Sequence, residues 1–404
     1  MTRALYLCYF GLREPLVQTQ VLPYLRELVR GGVTMSLLTF EPDARGAWTA
    51  EWRERLRAEG IDWHVLPYHK RPTLPATLFD IMAGAWCAAR IVRRRRIKLL
   101  HARSHVGAAI GALAKKLTGA RLLFDIRGFL PEEYVDSGNW REGGWLFRTT
   151  KAVERSLFRS ADGFVVLTNR ARALLFPDGA GGKPVEVIPC CTSSERTAPD
   201  GSRDAVRAEL GVSGRVVFVY AGALGGYYLM REMAELLAVA REQDSRVYAL
   251  VLTLGPAAEM AAELERVGFG ANDYRVMSAD PQDVPRFLGA ADVSLSILRS
   301  SIARITSSPT KFAEYLAAGL PVISGAGTGD LDEEIEKARV GVVLRGFDRA
   351  AYLEALRDLE ILRRDPDLAE RCRQTARARY DLETIAGVRY RRLYEAISVA
   401  DSVQ

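Results

Sequence analysis

The stretch Arg304-Ile-Thr-Ser-Ser-Pro-Thr-Lys-Phe-Ala-Glu-Tyr-Leu-Ala-Ala-Gly-Leu-Pro-Val-Ile323 decides how the chain is read. Ser307 or Ser308 suits the cap of a helix, Pro309 suits its first position, and Gly319 and Pro321 stop it. Thr310, Lys311, Glu314 and Tyr315 then fall in the first two turns. The helix follows an apolar run at 291–298, so it opens at the carboxyl end of a strand. Its first amides have no intrahelical partner and carry the positive end of the dipole. Hydroxyls and one lysine beside such an end make an anion site. Glu314, one turn further in, can accept hydrogen bonds from sugar hydroxyls. A merely well-capped helix explains the serines and the proline, but not Lys311 and Glu314 together.

Outward from this stretch, short apolar or β-branched runs alternate with helical patterns, the signature of βα units around a parallel sheet. Strands are expected near 3–9, 33–40, 62–67, 97–102, 120–126, 162–168 and 184–189, and again near 215–222, 246–254, 273–277, 291–298, 320–325 and 339–344. Between the sets lies a polar connector, Cys191 to Gly214, whose turn formers interrupt both periodicities. This predicts an α/β chain of two doubly wound domains: 1–195, then 196–384, with a last helix at about 385–404 packing back on the first.

With 404 residues, 48% apolar and 26% charged, the chain can bury two cores, which excludes disordered, collagen-like and small disulfide-stapled classes. Five scattered cysteines without CxxC spacing and four histidines speak against a disulfide framework or a zinc site. No motif for nucleic-acid recognition stands out. The N-terminus lacks a signal-like apolar region, so a cytoplasmic protein is expected, at most peripheral on the inner face of the membrane. Up to residue 195 there are 29 Lys+Arg against 19 Asp+Glu, and after it 27 against 31. The first domain is therefore the one expected to meet an anion. Arg93 to Arg96 end an amphipathic helix that begins near Leu78. They read either as a solvated helix end or, with Ile81, Trp86 and Ile91, as a contact for anionic lipid.

Loops at the carboxyl ends of parallel strands line the crevice of such sheets. In the second domain these include Gly222, Gly225 and Gly226, where glycines allow backbone to approach phosphate closely or simply make a tight turn. In the first domain they include Gly11, Arg13, Gln18, Thr19 and Gln20 after strand one, and His101, Arg103, Ser104 and His105 after strand four. Asp125 and Arg127 end strand five, either as a structural pair or with Arg127 gripping a phosphate or carboxylate. Asp330-Leu-Asp332 and Asp365-Pro-Asp367 resemble short metal motifs, but neither falls at a strand end.

The 304–323 segment resembles the signature of the family-4 retaining glycosyltransferases of the GT-B fold. Further matches follow in order: Phe-Asp-Ile-Arg-Gly at 124–128, Val-Ile-Pro at 187–189, Tyr-Ala-Gly-Ala-Leu-Gly-Gly at 220–226 and Ala-Ala-Asp-Val-Ser-Leu-Ser at 290–296. The resemblance implies two Rossmann-like domains facing across a cleft and transfer of a sugar from a nucleoside diphosphate sugar with retention. It assigns catalysis to Lys311 and Glu314. Arg304 or Arg299 is expected to help Lys311 meet the diphosphate charge in place of the family's missing cations, and Arg127, where the family often has a cleft histidine, to bind a phosphate or carboxylate rather than act as a base. Donor binding falls to Gly222, Gly225, Gly226, Met277, Ser307, Ser308, Thr310, Lys311 and Glu314, with Met277 to Pro281 near the base and Glu314 on the ribose. The acceptor, a glycan, a lipid-linked sugar or a small molecule, falls to the first-domain residues. No metal or other cofactor is implied, because the helix dipole and cations can stabilise the leaving diphosphate.

Two departures stand out. The family's first glutamate of a Glu-x7-Glu pair is Thr306 here, and its Arg and Lys after Gly222 are absent, the lysine position falling at Tyr227 or Tyr228. A nucleotide-sugar epimerase or a non-catalytic partner subunit on the same fold is the alternative those departures leave open.

Overall fold

A computed structural model describes residues 2–193 and 203–399. The middle of the expected connector, 194–202, and the end of the expected last helix, 400–404, lie outside the described residues. Among the described residues thirteen strands follow in chain order: β1 Arg3–Leu7, β2 Thr34–Glu41, β3 Ile61–Pro67, β4 Leu99–Arg103, β5 Arg121–Asp125, β6 Gly163–Val166, β7 Val185–Val187, β8 Val216–Ala221, β9 Val247–Leu252, β10 Tyr274–Met277, β11 Val293–Ser296, β12 Val322–Gly325 and β13 Gly341–Leu344. Each falls on an expected run. They form two parallel sheets, ordered β3-β2-β1-β4-β5-β6-β7 and β10-β9-β8-β11-β12-β13. Both are Rossmann-like, because in each the strand order reverses beside the first strand and helical crossovers cover both faces.

The chain divides after Pro189 and again after Asp381, the segment from Leu382 onward belonging with the first unit. The sequence reading drew these borders at 195 and 384. The earlier break has a local cause. Ile188 still donates to the β6 carbonyl of Val166 at 2.8 Å, whereas the Cys190 amide donates to Ser308 Oγ at 3.0 Å. The connector also carries a helix, Arg203–Leu210.

In the first unit the helices Thr73–Arg95 and Ser104–Thr118 pack together over one sheet face. Gly84 makes this possible, since a Cβ there would stand 2.9 Å from Phe40 Cζ and 3.0 Å from Ile110 Cδ1. The first of these helices begins at Thr73, not near Leu78. Of the three apolar residues expected to touch lipid, Ile91 is buried and Ile81 packs on the core, while Trp86 is exposed. The last helix, Val388–Val399, follows a π-helical turn at Leu382–Gly387. Its Tyr390 and Tyr394 are buried in the first unit.

In the second unit the helix Thr310–Ala317 packs against Leu368–Tyr380, with Phe312 and Tyr380 in edge contact. Burying Phe312, Ala313, Leu316 and Ala317 fixes which face of this short helix points to the strand ends.

Candidate functional site

The Thr310–Ala317 helix is preceded by a 3-10 turn, Ile302–Thr306, and by Pro309 in extended conformation at the cap position. This corrects the expected start, in which Ser307 or Ser308 capped the helix and Pro309 was its first residue. No side chain caps it, and the Ser308 hydroxyl instead accepts from the Cys190 amide. Ser308 therefore anchors the chain where the second unit begins. Ser307 is half-buried and Thr310 opens the helix.

Lys311 is the unusual residue of this turn. Its side chain is buried, and among the described residues Nζ has no hydrogen-bond partner. Instead Nζ stands 3.8 Å from the centroids of both the Tyr220 and the Tyr228 rings, where the aromatic faces are negative. Burial holds the ammonium well below the ordinary lysine range, and the Glu314 charge opposes this only in part. With no salt bridge to break, the Lys311 amine can meet an anionic partner as an ammonium once that partner offsets its desolvation.

Gly222 borders the same point, with φ of +136° and an ideal Cβ that would lie 2.8 Å from Lys311 Nζ. Gly225 and Gly226 have φ of +78° and +63°, a left-handed pair that turns the chain back. The returning segment is pinned by Arg299 N donating to Tyr227 O at 2.9 Å and Leu229 N donating to Ile297 O at 3.2 Å. That return places Tyr228 over Lys311 and the Tyr227 ring 3.8 Å from the Arg304 guanidinium carbon. The two tyrosines at the absent lysine's position thus stand against Arg304 of the 3-10 turn and Lys311 of the helix. Tyr315, fully buried, accepts from the Ala221 amide at 2.8 Å and ties the helix to the end of β8.

Thr306 does not stand in as an open hydroxyl. It is buried and donates to Ala303 O at 2.8 Å inside its own 3-10 turn. The Met277 carbonyl accepts from Thr253 N at 2.9 Å, and its side chain packs on the core, so its backbone oxygen is already engaged. Asp332 accepts from Gly327 N at 2.9 Å, and Asp365 pairs with Arg371 at 2.7 Å, which gives both short acidic motifs structural work.

In the first unit the structure gathers Gln20, His101, Arg103, Asp125 and Arg127. Gln20 Oε1 accepts from Arg103 at 2.8 Å and from Arg127 at 3.1 Å. Asp125 is fully buried, 3.6 Å from Arg127 and 3.5 Å from His101. Burial raises its pKa, but Arg127, His101 and Arg103 outweigh that and bring it to about 2. His101 meets the Tyr394 hydroxyl at 2.7 Å, and burial lowers its pKa, opposed by Asp125.

The other first-domain candidates stand apart. Arg13 is exposed over Trp48, Gln18 donates to Leu12 O at 2.7 Å and Thr19 to Pro15 O at 2.9 Å. Gly11 makes room for Glu41, whose carboxylate accepts from Leu12 N and Thr39. His105 pairs with Glu154 at 2.9 Å, and Ser104 takes φ of +59° where β4 turns into its helix. Sequence reasoning missed Glu41, and it gave no role to Tyr220, Tyr228 or Tyr315 although it placed all three in its motifs. The Tyr227-Tyr228 pair after two glycines was the signal available for one of them.

Two parallel-sheet Rossmann-like domains of this order are the GT-B architecture. Residues 17–191 match the family model of the glycosyl transferase 4-like domain, and residues 214–360 that of glycosyl transferases group 1. The chain belongs to the GT-B glycosyltransferases of the family 4 and group 1 type. No curated protein matches it. Among solved structures it resembles a glycosyltransferase from Rickettsia africae, at 15% identity over 98% of both chains with a TM-score of 0.73. It also resembles Anabaena Alr3699/HepE in complex with UDP and glucose, at 16% identity, 98% and 100% coverage and a TM-score of 0.69. Sucrose-phosphate synthase from Thermosynechococcus elongatus is similar too, at 16% identity, 99% and 100% coverage and a TM-score of 0.72.

Proposed function

We propose that this glycosyltransferase moves a sugar, with retention, from a nucleoside diphosphate sugar held by its second domain to a glycan, lipid-linked or small-molecule acceptor met by its first. The observation that carries the reading is the buried Lys311 ammonium, partnerless among the described residues, in the first turn of a helix at the strand ends, beside Gly222. Such a cation and the helix dipole stabilise the charge that develops on a leaving diphosphate, which is the main task in same-face transfer without an enzymic nucleophile. The reading assigns that charge to Lys311, the helix amides and Arg304, and asks for no metal. Glu314, one turn on, takes the donor ribose. Gly222, Gly225 and Gly226 give the diphosphate backbone access, with Ser307 and Thr310 beside it. Ser308, whose oxygen accepts from Cys190 N, and Met277, whose carbonyl accepts from Thr253 N, each keep hydrogen-bonding capacity and stay in the proposed donor set.

Incubation with a panel of nucleoside diphosphate sugars tests this. A donor at about 100 times its Kd adds about 2.7 kcal/mol to the stability of the folded state. The expected result is a raised Tm with one donor class, absent in Lys311→Met, and a product whose anomeric configuration matches the donor. A panel in which nothing binds wild type would favour a non-catalytic subunit, and turnover of donor to an isomeric donor would favour an epimerase.

A further inference from the structure

We propose that the helix Thr73–Arg95 lies in the surface of an anionic lipid bilayer. Leu74, Leu78, Met82 and Trp86 recur every four residues and are 57%, 55%, 63% and 65% exposed, with Phe79 beside them at 60%. Few soluble surfaces expose so many large apolar side chains in one row. Arg90 continues the row, its guanidinium over the Trp86 ring, and Arg93, Arg94 and Arg96 are exposed at the same end. Arg93 donates to Leu117 O at 2.7 Å, so exposed Leu117 and Lys116 of the neighbouring helix adjoin this end.

The charge is one-sided. Asp80 is the helix's single acid, and it is buried under His69 Nδ1 at 2.6 Å and Tyr9 Oη at 2.9 Å. The exposed face thus carries apolar groups and arginines and no acid of the helix itself. Arg95 at the same end pairs with Asp62 at 2.7 Å, and Arg90, Arg93, Arg94 and Arg96 are left to complement an anionic headgroup layer over acyl chains. The helix is long and apolar enough to cross a membrane. Its other face, however, is Gly84, Ala85, Ala88, Ala89, Ile91 and Val92, buried in the first unit. Crossing would strip that face from the sheet, whereas lying flat keeps it in place.

Cosedimentation of the whole chain with vesicles of phosphatidylcholine alone, and with added phosphatidylglycerol, tests the proposal at low and high salt. Wild type should bind only the anionic vesicles, more weakly as salt rises. Met82→Glu with Trp86→Glu should abolish binding. Arg90→Gln with Arg94→Gln should weaken it about 25-fold at low salt, about fivefold for each charge. All four side chains are exposed, so thermal unfolding should match wild type, and the arginine pair decides the matter should the glutamate pair not fold. Equal binding to both vesicle types, no binding to either, or a wild-type dimer that the Met82 and Trp86 variant renders monomeric would each overturn it.

Discussion

Lys311 Nζ rests 3.8 Å from the centre of the Tyr228 ring, and that ring comes from a loop 83 positions earlier in the chain. The glycine turn that returns the loop thereby controls where the cation of the Thr310–Ala317 helix stands. Tyr228→Leu should cost about 2 kcal/mol of donor binding, a desolvated cation–π contact, while Tyr228→Phe should be nearly silent. Donor titration of both variants checks this, and equal effects would assign the role to the hydroxyl.

Lys311 makes donor binding pH-dependent. Burial lowers its pKa in the free protein, and a bound diphosphate would raise it again. Binding then takes up a proton between those two values, so affinity falls as pH rises across that window. Calorimetry in two buffers of different ionisation enthalpy should show uptake in wild type and none in Lys311→Met. In the free protein the unfolded lysine binds more protons than the folded one, so stability falls as pH drops below the unfolded lysine's pKa. Lys311→Met should therefore raise Tm at neutral pH while abolishing donor binding.

Gly222→Ala should separate site from fold. The positive φ makes a side chain there cost about 1–3 kcal/mol, and the new Cβ would push Lys311 Nζ away. The expected result is a folded protein whose donor KM rises at least tenfold; an unchanged KM would remove the Gly222 contact from the site.

Glu314→Gln keeps size but loses charge. It should raise the donor constant and lower turnover with Tm near wild type, and it should depress Lys311 further, since Glu314 is the group that opposes its desolvation. The crossed test is a nucleoside diphosphate with a deoxyribose. If Glu314 holds the ribose, the deoxy donor and the Gln variant should lose affinity non-additively.

Asp125 governs acid stability in the first unit. Its folded pKa of about 2 lies below the unfolded carboxylate value, so its contribution is complete above about pH 4 and is lost as pH falls through about 2. Asp125→Asn should cost about 2 kcal/mol at pH 7, and the gap from wild type should close over that acid range. A gap independent of pH would mean that packing, not the charge facing Arg127 and His101, carries the effect.

What the sequence by itself determined is local. Apolar runs between turn formers placed every strand, and the order of βα units set two parallel sheets, because a period of two or of 3.6 can be read without knowing the neighbours. That Lys311 and Glu314 share one short helix was legible for the same reason. What only the tertiary structure decided is where lone hydroxyls, carbonyls and rings spend their bonds. Ser308 looked like a helix cap until the fold brought the Cys190 amide to it, and Thr306 looked like a substitute ligand until its own turn took its proton. The Tyr228 ring and the Gln20 amide find their cations across 83 positions of chain in each case. Such contacts follow from which strand ends meet, and no single stretch of sequence encodes that.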